Sequence, residues 1–271
     1  MLDLINVKDK IYVITGVANK KSVAYHVAKD IQGQGGDLIL TVQTEQHLAK
    51  VRSLFPELEE NKFYIVDCEN ESDIENFSKT INSRNIKVDG LLHSIAFANY
   101  SKGLVPFHET NLQDYLQATN ISCFSLVALS NALKDSFNPH SSVVTVSISN
   151  TKATNYGYMG PIKAALDSTV AFLAKSFSEL NNVRFNAVCS GPLKTSASAG
   201  IPGYVDNYIF AEQLTLRKKA LATSEVSKSA LFLLSPMSSG INGTGLLIDA
   251  GMSVNYFDQK IVKSAVNNLE S

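Results

Sequence analysis

Residues 155–163 read NYGYMGPIK, which sets two tyrosines, Tyr156 and Tyr158, ahead of one lysine, Lys163. A phenol hydroxyl can donate a hydrogen bond to an oxygen on which negative charge gathers, and a nearby ammonium strengthens it as a donor. Lys163 follows Tyr156 by seven positions, two helical turns, and Tyr158 by five, so on a continuous helix only Tyr156 shares its face. The same periodicity turns the two tyrosines about 200° apart. Tyr158 is expected to pack. The plainer alternative, a helix-start aromatic and an exposed lysine, stands until a site is built around the pair.

The elements that must position this pair alternate along the chain. Short β-branched runs occur at 11–15, 37–42, 62–66, 90–94, 142–147, 183–188 and 245–250, with helical patterns at 22–34, 72–84, 112–137, 159–180 and 224–234. The runs are apolar on both faces, as strands of a parallel sheet covered on two sides must be. The alternation predicts a single α/β domain, a doubly wound parallel sheet of the Rossmann type. The least regular stretch, TSASAGIPGYVDNY at 195–208, reads either as a mobile lid with few buried contacts or as an ordinary surface loop.

Ligands of such sheets bind beyond the carboxyl ends of the strands. After the first run, Gly16 permits a tight turn and Ser22 can cap the next helix, leaving backbone N–H groups for a pyrophosphate. The G-x-G-x-x-G fingerprint is absent, because Val17, Ala18 and Asn19 follow Gly16. The second run ends in Gln43 and Glu45 with no adjacent cation for a 2′-phosphate, which favours NAD(H) over NADP(H). Asp67 can accept from the adenine amino group and Cys68 can pack beside the ring. The fourth run ends HSIAFAN, where small residues let backbone approach a ribose.

Composition narrows the partners. The 271 residues are 45% hydrophobic and 18% charged with a formal net charge of −1, a globular profile with no broad attraction to nucleic acid or anionic lipid. Cys68, Cys123 and Cys189 are scattered and read as reduced core thiols of a cytoplasmic protein. The five histidines show no metal-ligand spacing, and His93 reads as a packed strand residue. The first ten residues mix acids and bases and do not form a signal sequence, and no apolar run is long enough for a bilayer.

Five stretches, TGVANKKSVAY, DGLLHSIAFAN, NYGYMGPIKAALDS, RFNAVCSGPLKTSASAGI and SSGINGTGLLIDAGMS, resemble in order and spacing the bacterial NADH-dependent enoyl-acyl-carrier-protein reductases, a divergent branch of the short-chain dehydrogenase/reductases. The resemblance runs over residues 4–254. It implies that Gly16, Ser22 and Val23 bind the pyrophosphate, that Gln43 lies near the adenosine ribose, and that Asp67 and Cys68 contact adenine. It further implies that Ser94, Ile95 and Ala96 pass under the nicotinamide half and that Leu193, Lys194, Thr195, Ser196 and Ala197 hold the carboxamide. Ala98 would touch the acyl thioester, and 195–214 would form the substrate-binding loop. Most short-chain dehydrogenases use Y-x3-K, but Met159 stands four before Lys163. Tyr156 has the Y-x6-K spacing of the enoyl reductases, which makes it the expected catalytic tyrosine. Lys163 is then expected to bond the nicotinamide ribose. The resemblance also implies an enoyl thioester as substrate, free or carrier-bound, a role in fatty acid biosynthesis, and a homotetramer.

One departure stands out. The family carries a second tyrosine just after the central strand, where this chain has Ile148 in a segment about two residues shorter. A side chain without a hydroxyl cannot donate there, so the substrate pocket must differ. Three readings follow: an enoyl-thioester reductase with an altered pocket, an NAD(H)-dependent reductase of another enone or carbonyl, and a non-catalytic NAD(H)-binding homologue.

Overall fold

The computed structural model describes residues 5–201 and 203–267. Its strands are β1 (Ile11–Thr15), β2 (Asp37–Val42), β3 (Phe63–Ile65), β4 (Val88–His93), β5 (Phe137–Ile148), β6 (Arg184–Ser190) and β7 (Thr244–Ile248). They form one parallel sheet in the order β3-β2-β1-β4-β5-β6-β7. β1 and β2 are buried along nearly their whole length, as a sheet covered on both faces requires.

The helices are α1 (Val23–Gly33), α2 (Glu45–Leu54), α3 (Glu71–Ser83), α4 (Leu112–Thr119), α5 (Ser125–Ala132), α6 (Met159–Ser178), α7 (Ser196–Ala199), α8 (Tyr204–Leu214), α9 (Thr223–Leu234) and α10 (Gln259–Asn267). Two apolar clusters sandwich the sheet. Val27, Ile31, Val51, Ala230 and Leu234 from α1, α2 and α9 pack on one side. Phe77, Leu126, Leu129, Leu166 and Phe177 from α3, α5 and α6 pack on the other. Arg184 locks β6 to the segment after α9 by donating to the carbonyls of Leu233, Ser235, Ser238 and Ile241. No helix among the described residues is long and apolar enough to cross a membrane.

The helix expected over 112–137 is not continuous. A π-turn at Asn120–Phe124 separates α4 from α5, and such a bulge widens one turn and re-aims its side chains. Phe137 belongs to β5 rather than to the helix.

Candidate active site

The strand order reverses between β1 and β4, and the site lies above that switch point. Thr15 Oγ1 donates to Leu92 O (3.0 Å) and accepts from Ser94 N (3.2 Å), which ties the carboxyl ends of the two strands together. Gly16 then turns the chain at φ +82°, and a Cβ there would lie 1.9 Å from Ser94 O. Only glycine permits that crossing. Ser22 occupies the N-cap of α1, but its hydroxyl donates to Asn19 O (2.7 Å) and caps no helical N–H. The expected side-chain cap is therefore absent, and the N–H groups at the start of α1 have no side-chain cap.

The other expected cofactor residues lie along the same edge. Gln43 is exposed beyond β2 and its Nε2 donates to Asp67 Oδ2 (3.4 Å), while Cys68 is buried. Ser94, Ile95 and Ala96 follow β4 directly, and Ala98 lies in the loop that follows them. Leu193 is buried beyond β6, with exposed Lys194 over the ring of Tyr208 (4.5 Å). Asn19 Nδ2 donates to Ser196 Oγ, so the loops after β1 and β6 meet across the site.

The stretch 195–208 is better anchored than its composition suggests. Thr195 caps α7 by accepting from Ser198 N (3.3 Å), and Ser198 Oγ donates to Leu193 O (2.8 Å). Tyr204 Oη donates to Leu193 O and accepts from Leu193 N, both at 2.9 Å. Ser198, Tyr204 and Tyr208 are buried, while most of the other described residues of the stretch are exposed. In α8, Val205, Ile209 and Phe210 are exposed while Tyr204, Tyr208 and Ala211 are buried.

Lys163 is 4% exposed and its Nζ donates to Val146 O at 2.8 Å. Burial lowers its pKa from 10.5 to about 8, against the opposing pull of Asp167 one helical turn on and of Cys123 and Cys189. Asp167 lies beside it, its pKa raised by burial against the opposing pull of the Ser147 hydroxyl and of Lys163. His93 is neutral, held near pKa 3 by burial and by Lys163, with its ring nitrogens on Thr145 Oγ1 and Ser125 Oγ (2.8 Å each). It is the packed strand residue its context implied.

Tyr158 packs as expected, for a different reason. Tyr156 ends a 3₁₀ turn (Thr154–Tyr156), Gly157 follows at φ +63°, and α6 starts only at Met159. The two tyrosines and Lys163 thus do not share one helix, and the periodicity argument does not apply to them. Tyr158 is buried and its hydroxyl donates to Asn99 O. Tyr156 is half-buried and forms no hydrogen bond with Lys163 among the described residues. Burial, with Tyr204 and Tyr100 nearby, raises its pKa. A phenol in that state stays protonated and acts as a neutral donor. Ile148, at the end of β5 opposite Ser190, carries no hydroxyl. Asn19, Ser147, Asp167 and Tyr204 were not singled out in the sequence, because their partners lie on other elements or one helical turn away.

A parallel sheet with a glycine turn and a helix N-terminus at its switch point, and a buried lysine on the helix that follows β5, define a dinucleotide-binding α/β protein of the short-chain dehydrogenase/reductase type. The family model described as enoyl-(acyl carrier protein) reductase matches residues 16–253, and the chain belongs to that family. It is 32% identical over 252 residues to the enoyl-[acyl-carrier-protein] reductase [NADPH] FabI of Staphylococcus aureus (strain MRSA252), covering 92% of this chain and 98% of that one. It is 32% identical over 256 residues to the corresponding [NADH] enzyme of Nostoc sp., covering 93% and 99%. The crystal structure of the NADH enoyl-[acyl-carrier-protein] reductase from Aquifex aeolicus VF5 superposes with a TM-score of 0.86 at 29% identity, covering 92% of this chain and 98% of that one.

Proposed function

We propose that the protein reduces the carbon–carbon double bond of an enoyl thioester with NADH, as an enoyl-acyl-carrier-protein reductase of fatty acid biosynthesis. The observation that carries this reading is the near-full-length likeness to proteins named for that reaction.

The residues present fit a dinucleotide. Gly16 leaves the space a Cβ would fill, and the start of α1 has no side-chain cap to compete with a phosphate. Gly16, Ser22 and Val23 would hold the pyrophosphate, Gln43 the adenosine ribose, and Asp67 and Cys68 the adenine. Ser94, Ile95 and Ala96 would flank the nicotinamide, with Leu193, Lys194, Thr195, Ser196 and Ala197 on its carboxamide. Relatives named for NADH and for NADPH both exist. Gln43 and Glu45, with no cation beside them, support NADH here.

Bound NADH supplies the hydride that reduces C3 of the substrate. Tyr156 donates to the thioester oxygen, where negative charge then gathers, and the enolate so formed takes a proton from solvent at C2 to give the saturated thioester; one preorganised donor is worth about 3 kcal/mol of barrier. Desolvation keeps that phenol protonated, so it donates throughout the neutral range. Lys163 would bond the nicotinamide ribose hydroxyls. Ala98 and Ile148 would border the acyl chain, and the loop 195–214 would close over it. Exposed Phe124 and Phe172 beside α5 and α6, and Leu247 on the edge strand β7, support a homotetramer built on those faces.

Ile148 is the one feature that favours a different enone or carbonyl as substrate. Mixing the purified protein with NADH and crotonyl thioesters separates the readings. Consumption of NADH with formation of the saturated thioester supports the proposal, and binding of NADH without turnover of any enone refutes it.

A further inference from the structure

Five tyrosines, Tyr100, Tyr115, Tyr156, Tyr158 and Tyr204, gather around the start of α6, and two of them bond their hydroxyls to the protein backbone. Tyr204 is bonded to both backbone atoms of Leu193, and Tyr158 is bonded to Asn99 O. Tyr156 is half-buried with no hydrogen bond from its hydroxyl among the described residues. Tyr115 lies 6.0 Å from the ring of Tyr158 and is not fully buried, whereas Tyr100, in the loop after β4, has its ring 5.0 Å from that of Tyr158. Its hydroxyl is buried and has no hydrogen-bond partner among the described residues.

That hydroxyl lies beside the backbone that follows Tyr156. A Cβ on Gly157 would sit 3.4 Å from it, so the missing side chain of Gly157 gives it room directly after Tyr156 in the chain. Tyr100 is also one of the groups whose proximity raises the Tyr156 pKa. With Leu104, Phe107, Thr154, Gly157 and Tyr158 it lines a cleft at the residues flanking Tyr156. A buried polar group without a partner is disfavoured unless a ligand satisfies it. A carbonyl oxygen has two lone pairs and accepts two donors at once.

We propose that Tyr100 is a second catalytic residue, whose hydroxyl donates to the carbonyl oxygen of an α,β-unsaturated acyl thioester alongside Tyr156. It supplies from the β4 loop the second hydroxyl that Ile148 cannot supply from β5. This rests on the reductase reading above. It assigns the donor to a residue that neither the Y-x6-K spacing nor the β5 end identifies.

The test is steady-state kinetics of wild type and Tyr100→Phe with NADH and crotonyl-coenzyme A, together with melting temperatures and NADH affinity. Because the hydroxyl has no protein partner, Tyr100→Phe folds with an unchanged melting temperature. The proposal expects kcat to fall roughly 10²-fold, the lower end of the range for losing an oxyanion donor, with NADH affinity within about twofold. Wild-type activity with an equally active Tyr100→Phe overturns this inference and leaves the reductase reading intact. A loss of rate that merely tracks a lower melting temperature assigns Tyr100 a packing role and also overturns it. A wild type with no activity on any enoyl thioester overturns both.

Discussion

The buried ammonium of Lys163 provides a stability prediction whose sign is set by its surroundings. Its pKa falls from 10.5 to about 8 because burial outweighs Asp167, Cys123 and Cys189, the groups that favour the charge. The nearby His93 stays neutral and adds no charge. Below pH 8 both folded and unfolded chains hold the proton, and folding carries the full burden of burying the charge. That displacement corresponds to about 3 kcal/mol at ~1.4 kcal/mol per pH unit. Between pH 8 and 10.5 the unfolded chain binds the more protons, so this part of the stability rises with pH and the burden fades. Lys163→Met keeps the length of the side chain and removes the charge, at the loss of the bond to Val146 O, worth about 1 kcal/mol. The variant should be more stable than wild type by about 2 kcal/mol at pH 7, roughly 5 °C in melting temperature for a chain of this size. By pH 10 the remaining burden is under about 1 kcal/mol and the two proteins should converge. Denaturant unfolding at the two pH values measures this, while cofactor binding by the variant should be lost. A variant less stable at pH 7, or a stability gap that ignores pH, would refute the reasoning.

Three further outcomes follow from the site. Calorimetric titration should give tighter binding of NADH than of NADPH, since Gln43 and Glu45 offer no cation to a 2′-phosphate; the reverse order would contradict this. Gly16→Ala should destabilise the fold by about 3 kcal/mol or more, because its Cβ would lie 1.9 Å from Ser94 O at φ +82°. Chemical denaturation checks this, and a shift under about 1 kcal/mol would show that the β1 and β4 ends are not as close as described. Tyr156→Phe should lower kcat by roughly 10²-fold with NADH affinity near normal. If Tyr158→Phe is instead the variant that loses kcat while keeping its fold, the roles of the two tyrosines are reversed.

The strands were legible because IYVIT, DLILTV and SVVTVS are buried on both faces, and parallel sheets leave that mark in the sequence. The turn at Gly16 and the strand ends at Gln43 and Asp67 were legible because each is set by a single turn or strand end. The helical argument for Tyr156 failed because Gly157, at φ +63°, starts a new direction before α6 begins. The break at Asn120–Phe124 was hidden because a π-turn keeps an unbroken helical pattern. The anchoring of 195–208 depends on Tyr204 reaching Leu193, and closure of the site depends on Asn19 meeting Ser196 across 177 positions. Tyr100 became visible only as a buried hydroxyl without a partner in the folded chain. Pairings of that kind form only in the folded chain, and composition and spacing carry no trace of them.

The central claim is that the protein moves a hydride to C3 of an enoyl thioester with Tyr156 as oxygen donor. The most direct measurement uses NADH carrying deuterium at C4 of the nicotinamide with crotonyl-coenzyme A, and locates the label in the product by mass spectrometry. The account predicts saturated butyryl thioester with deuterium at C3, formed by wild type and slowed roughly 10²-fold by Tyr156→Phe. Deuterium at a carbonyl carbon, or no transfer to any enone while NADH binds normally, would contradict it.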